Sequence, residues 1–300
     1  AAFAGLLSRH GIAWRALDPR GSVPAGHAET DLARLVAAAD LVVVAVPVPA
    51  IESALVALRP HLGARHTVID VGSVKLQPCA WLDRHLGDAV AHAGTHPLFG
   101  PLSLARADPI RSVICPSPRH PETARRVRRF FEALGSEIIE RDAASHDRAM
   151  ASTHAMAFFV AKGLLDIGAA DDLGMAPPSF RALAQSIEAV RADAGHLFAA
   201  IQRENPFAEE TRARFIEALR GIHERLSQPA ASGSSPGDAA IPGLDSEPRE
   251  DVQAHLADLD RELATLLERR RQLEGRLAGG VGEQADLREP ASLRTVRGKS

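Results

Sequence analysis

Asp40-Leu41-Val42-Val43-Val44-Ala45-Val46-Pro47 is an unbroken apolar run, largely β-branched and closed by a proline. Strands covered on both faces read as continuous apolar runs rather than as alternating ones, so this stretch predicts a central parallel strand. Helical periodicity flanks it over residues 30–39 and 49–62, and a second buried run follows, His66-Thr67-Val68-Ile69-Asp70-Val71. The alternation continues with a strand over 89–94, another over 112–115, a helix over 122–134 and a strand over 137–140. Regular β-α alternation implies right-handed crossovers and a doubly wound sheet, whose domain should end near Asp142.

Upstream, residues 1–11 read as the back half of a helix stopped by Gly11, and residues 12–17 as a short strand running into Asp18-Pro19-Arg20-Gly21. A sheet of this kind normally opens with a strand and a Gly-x-Gly-x-x-Gly turn whose amides hold a pyrophosphate at a helix N-terminus. The chain starts just after the place where that turn belongs. We expect the sequence to continue upstream; the other reading is a protein that has lost its cofactor loop. The expected fold class is therefore α/β, an N-terminally truncated Rossmann-type doubly wound sheet followed by an all-α dimerisation and substrate domain.

Bulk properties narrow the function. Three hundred residues suit two domains or slightly more. With a net charge of −3 and 24% charged residues, no global field draws in nucleic acid or anionic lipid. The longest apolar run, 41–48, is too short for a bilayer, and no charged leader precedes an apolar stretch, so a cytoplasmic protein is expected. Cys79 and Cys115 lie in separate segments without metal-ligand spacing, which suits a reducing compartment; no metal is expected and neither thiol reads as catalytic.

From residue 145 to about 226 the period is helical. Ser145-His146-Asp147-Arg148-Ala149-Met150-Ala151-Ser152-Thr153-His154 opens a long helix, and further helices are expected over 180–202 and 209–227. His146 and His154 are eight apart, which separates them by ~80° on an α-helix and lets them share a broad face. Residues 228–250 are rich in Pro, Gly, Ser and Ala and read as a flexible linker. Leu256, Leu259, Leu263, Leu266, Leu273 and Leu277 then follow a heptad seam with Arg270 inside it, and residues 280–300 read as disordered.

Three stretches carry chemistry. Thr95-His96-Pro97-Leu98-Phe99-Gly100-Pro101 places an imidazole at the exit of the strand over 89–94, where open α/β sheets present their reactive groups. His96 is a candidate general base, or else a loop histidine making one backbone hydrogen bond. Gly72-Ser73-Val74-Lys75 puts a hydroxyl at the same sheet edge, as a substrate contact or as a cap of the following helix. Asp18, at the end of the second strand, suits ribose hydroxyls, although Asp-Pro is also a common turn opener.

Asp70-Val71-Gly72-Ser73-Val74-Lys75, His96-Pro97-Leu98-Phe99-Gly100-Pro101 and His146-Asp147-Arg148-Ala149-Met150-Ala151, in that order and spacing, resemble the prephenate dehydrogenase family over roughly residues 1–226. The resemblance implies a dinucleotide-binding domain, a helical domain that homodimerises, and NAD(P)-dependent oxidative decarboxylation of prephenate, arogenate or a close analogue. It casts His96 as the base that takes the proton of the C4 hydroxyl while hydride leaves C4. A neutral imidazole suits that role, and such a base contributes roughly 10²- to 10⁴-fold. Ser73 becomes the hydroxyl that orients the same oxygen, and His146 a substrate-binding residue. Asp18 favours NAD, while Arg20 could meet the 2′-phosphate of NADP; Val46, Pro47 and Gly72 fall along the cofactor.

Two positions depart from the family pattern. The arginine expected five residues before Asp193 is Glu188, which leaves Arg191 or Arg181 to hold a substrate carboxylate. The histidine expected twelve residues after His146 is Phe158, so His154 is the expected substitute. The segment over 251–279 resembles the first helix of the all-helical chorismate mutases, with Arg270 at that family's arginine. Because Gln253 replaces a second arginine and no lysine stands near Val281, a docking or dimerising helix is expected there. Two further readings remain open: a catalytically inactive relative serving as a binding or regulatory module, and a dehydrogenase of the same architecture acting on another hydroxy or amino acid.

Overall fold

In the computed structural model, residues 2–169, 171, 174–192 and 196–227 are described, and residues 1–221 form one compact unit while 222–300 belong to a second. The linker, the leucine heptads with Arg270, Asp193 and the C-terminal tail lie outside the described residues.

After α1 (Ala2–Arg9) and α2 (Leu32–Ala37) the chain alternates β1 (Leu41–Val44), α3 (Ile51–Leu58), β2 (Thr67–Asp70), α4 (Leu76–Leu86) and β3 (Ala91–Pro97). A short α5 (Pro101–Ala105) leads to β4 (Arg111–Pro116), α6 (Pro121–Ala133) and β5 (Glu137–Glu140). The sheet has the order β1-β2-β3-β4-β5, and every pairing is parallel except that of β3 with β4. Helices cover both faces. Val68 points with Val44 into a layer built on Ile51, Leu55 and Leu82 of α3 and α4, whereas its neighbour Ile69 points into the opposite layer with Val127 and Phe131 of α6. The two-residue period of a strand thus feeds two cores at once, which is why β2 is buried at all four positions.

Three expectations about this domain change. The run that opened the reading is the edge strand of the described sheet, and Leu41, Val42 and Val43 are only half-buried. Residues 12–17 do not join the sheet; they contribute one isolated bridge, Ala16 to Ala28. The strand over 89–94 extends to Pro97, because antiparallel pairing with β4 continues through His96↔Val113 and Pro97↔Ser112. His96 is therefore held by a ladder on a strand, not by a loop.

The second half begins at Asp142, whose carboxylate caps α7 (Ala143–Met150) by accepting from the Ser145 amide. The run expected as one long helix is interrupted by a π-helical turn, Ala151–Ala155, before α8 (Met156–Asp166). The helix expected over 180–202 is two, α9 (Pro178–Ala192) and α10 (His196–Arg203), and α11 (Ala208–Ser227) closes the described chain. Phe158, Ala161, Ile187, Val190 and Ile201 form this part's core. Among the described residues, no helix is long and apolar enough to cross a membrane, and no cluster of metal-ligating side chains occurs.

Candidate functional site

His96 is 5% exposed at the C-terminal end of β3. Its Nδ1 lies 2.9 Å from Nε2 of His146, and Nδ1 of His146 lies 2.7 Å from Oδ1 of Asp147. Asp147 is fully buried, and its carboxylate also accepts the Lys75 amide at 2.7 Å and the Leu76 amide at 2.9 Å. Those are the first amides of α4, so the carboxylate sits against the partial positive charge of a helix N-terminus. Asn205 donates to the Asp147 carbonyl at 2.7 Å and ties the segment to the loop before α11.

The bonding pattern fixes the tautomers. An ionised Asp147 can only accept, so Nδ1 of His146 carries a proton and its Nε2 is a lone pair. Nδ1 of His96 must then donate to that lone pair, which leaves Nε2 of His96 unprotonated. Burial, and then the positive character of His146, Lys75 and His154, hold His96 well below the usual pKa of 6.5. The result is a neutral imidazole with one basic nitrogen.

Lys75 is fully buried and pairs with the equally buried Asp70. Asp70 also accepts the Gly72 amide at 2.9 Å and the Thr95 amide at 3.3 Å, so the end of β2, the turn after it and the residue before His96 share one carboxylate. Gly94 has no room for a side chain: a Cβ there would lie 2.4 Å from Sγ of Cys79 and 3.3 Å from the Lys75 stem. A hydrogen bond with Cys115 and burial push the Cys79 thiol well above its usual pKa, which keeps it inert.

His154 packs nearly parallel to His96, with ring centroids 6.3 Å apart and planes 22° from each other, while His146 meets His96 edge-on at 5.1 Å. Phe158 backs His154 in a T-shaped contact at 4.9 Å and is otherwise core. His146 lies behind His96 with both ring nitrogens engaged by His96 and Asp147. Ser73 is half-buried in the turn after β2, and the cap of α4 comes from Asp147, not from Ser73. Arg191 is turned toward Asp171 at 3.9 Å, and Arg181 is exposed on α9. Asp70, Lys75 and Asp147 escaped the sequence reading. All three stood inside quoted motifs, but the contacts that join those motifs, Asp70 with Thr95 and Asp147 with the Lys75 and Leu76 amides, run across the sheet or over 71 to 72 residues.

The residues present fit a dinucleotide. Val46 and Pro47 are exposed beyond the C-terminal end of β1, beside the turn over 71–73 that follows the parallel neighbour β2. A Cβ on Gly72 would meet Asp70 at 3.1 Å and Val48 at 3.3 Å, so the backbone there stays bare. Asp18 is half-buried and held low in pKa by the Ser22 hydroxyl and the Arg20 amide, which fixes a carboxylate in the loop after residues 12–17 with the Arg20 side chain beside it.

Residues 22–140 match the family model described as the prephenate dehydrogenase nucleotide-binding domain. A Methanocaldococcus jannaschii protein named "Probable arogenate/prephenate dehydrogenase" is 26% identical over 193 residues, covering 62% of this chain and 43% of the relative. The 4-amino-4-deoxyprephenate dehydrogenase of Streptomyces pristinaespiralis is 28% identical over 278 residues, 86% of this chain and 89% of its own. The chain spans about half the length of some curated relatives, 43% of the archaeal protein and 51% of the T-protein of Haemophilus influenzae. Aquifex aeolicus prephenate dehydrogenase, solved with hydroxyphenyl propionate and NAD+, superposes with a TM-score of 0.60 at 19% identity over 90% of this chain and 93% of that one, a likeness of fold. Over residues 22–140, and with a helical segment after it, the chain is similar to the nucleotide-binding domain of the prephenate dehydrogenase family.

Proposed function

We propose that this protein is an NAD(P)-dependent dehydrogenase that oxidatively decarboxylates prephenate, arogenate or an amino-deoxy analogue, giving 4-hydroxyphenylpyruvate, tyrosine or the corresponding amine. The observation that carries the reading is the His96–His146–Asp147 chain, which ends in one basic nitrogen at a buried site. Nε2 of His96 takes the proton of the C4 hydroxyl. A bound nicotinamide would supply the acceptor for the hydride leaving the same carbon. Departure of the ring carboxylate as carbon dioxide then supplies the electron pair that completes the aromatic ring. His146 accepts the hydrogen bond from Nδ1 of His96 and so keeps Nε2 free to act as the base, and Asp147 holds His146 in the tautomer that can do so.

Ser73, Gly72, Val46 and Pro47 lie at the sheet edge that would receive the nicotinamide side, and Asp18 would receive the adenosine ribose, with Arg20 beside it for a 2′-phosphate. His154 faces the substrate, and Arg181 or Arg191 answers its carboxylate. The half-exposed apolar positions Leu183, Ile216 and Leu219 support a homodimer formed through the helical segment. A buried acid–base chain has no use in a pure binding module, which favours the enzyme over an inactive relative.

The test is a panel of prephenate, arogenate and 4-amino-4-deoxyprephenate with NAD and NADP, followed by reduced-cofactor absorbance on the full-length protein. One substrate should turn over, and His96→Asn should lower its kcat by about 10²- to 10⁴-fold. Undiminished turnover of every cyclohexadienyl substrate by folded His96→Asn sinks the proposal.

A further inference from the structure

The helical run from Ala143 to Asp166 changes register over Ala151–Ala155, where the hydrogen bonds widen into a π turn. Such turns are rare and concentrate at functional sites. A regular α-helix would leave His154 ~80° around the axis from His146; a turn that holds one extra residue takes back roughly 100°, nearly cancelling the offset. Both imidazoles then meet the His96 ring, one edge-on and one nearly parallel. The π turn is what brings the third histidine into the site.

A widened turn needs other partners for its polar groups, and here they are specific. Thr153 Oγ1 donates to the Ala149 carbonyl at 2.7 Å, and Ser152 Oγ to the Arg148 carbonyl at 3.3 Å. The Ala155 carbonyl, at the end of the turn, accepts Nε2 of Gln202 at 2.6 Å. Gln202 is 8% exposed and reaches in from α10. Its own Oε1 accepts Nη1 of Arg212 at 2.7 Å, and the same guanidinium nitrogen donates to the Gln202 carbonyl at 3.1 Å. The amide is therefore oriented from both ends, its oxygen held by α11 and its donor aimed at the π turn.

We propose that Gln202, clamped by Arg212, is a positioning residue for substrate binding: it holds the π turn open and so places His154 against the substrate. The proposal rests on the dehydrogenase reading above. It assigns Gln202 no part in proton transfer, because the His96–His146–Asp147 chain is anchored through α4 and Asn205 instead.

Gln202→Met keeps the side chain's length and removes its donor. In the full-length protein it should raise KM for the cyclohexadienyl substrate about tenfold, while KM for the nicotinamide cofactor and the pH at which kcat falls on the acid side stay put. Arg212→Met, which loosens the clamp and leaves the amide in place, should shift the same KM less, and it serves if Gln202→Met does not fold. The decisive comparison is the double variant. On a His154→Ala background Gln202→Met should raise KM no further, and a full, independent tenfold rise there overturns the proposal. A readout without turnover separates this from failure of the dehydrogenase reading. In substrate-free protein, the imidazole resonances of His154, assigned by their loss in His154→Ala, should move in Gln202→Met while those of His92 do not. Unmoved His154 resonances reject the positioning role whatever the enzyme's substrate proves to be.

Discussion

Asp147→Asn is the sharpest perturbation of the proposed proton path, because the change is one atom at a site with no slack. The carboxylate is fully buried and accepts three hydrogen bonds, from the Lys75 amide, the Leu76 amide and Nδ1 of His146. An asparagine offers one oxygen and an NH₂ group in the same space. If its oxygen takes the place of Oδ1, the NH₂ opposes the Leu76 amide, and one hydrogen bond to a charged group is lost. If its oxygen takes the other place, the NH₂ opposes both the Lys75 amide and Nδ1 of His146. His146 then relieves the conflict by moving its proton to Nε2, and His96 must accept at Nδ1 and carry its proton on Nε2, where the substrate needs a base. A hydrogen bond to a charged group is worth about 1.5–3 kcal/mol, which corresponds to about a 10- to 150-fold loss of kcat. The assay is reduced-cofactor formation at saturating substrate, with circular dichroism to show that the variant is folded. KM for the cofactor should stay near the wild-type value. A folded Asp147→Asn protein with kcat within a factor of two of wild type would refute the tautomer argument.

Two further outcomes follow from the same geometry. Because burial holds His96 below its usual pKa of 6.5, the base stays neutral at pH 7, and the acid limb of kcat/KM should fall at a pH well under 6.5. Stability carries the same sign: below pH 6.5 the unfolded chain binds a proton that the folded one does not, so wild-type stability should rise with pH through that window at up to about 1.4 kcal/mol per pH unit, and His96→Asn should flatten the slope in denaturant titrations. Gly94→Ala places a Cβ against Cys79 and should cost about 1–3 kcal/mol of stability; Cys79→Ala should recover most of that loss in thermal melts, and additive effects of the two changes would show that the crowding lies elsewhere.

Much of the molecule was legible in the chain. The continuous runs at 41–44 and 67–70 announced parallel strands, because a strand covered on both faces has no polar side to show. The same logic could not tell an edge strand from a central one, since Leu41–Val44 reads alike in either place; pairing decided that. His96, His146 and His154 were picked out as candidates one by one, yet their division of labour was not in the pattern. The sequence places His146 and Asp147 side by side, and only the packing of α7 against the start of α4 turns that dipeptide into a link between a helix N-terminus and the His96 imidazole.

By itself the sequence determined the periodicities, the order of the elements and the identity of the reactive side chains, because these depend on neighbours within a few residues. The tertiary structure decided the tautomer of His96, the inward position of His154 and the engagement of both His146 ring nitrogens. Each of those is a hydrogen bond or a register set by groups 47 to 72 residues apart, and no local spacing encodes a contact made across a sheet edge.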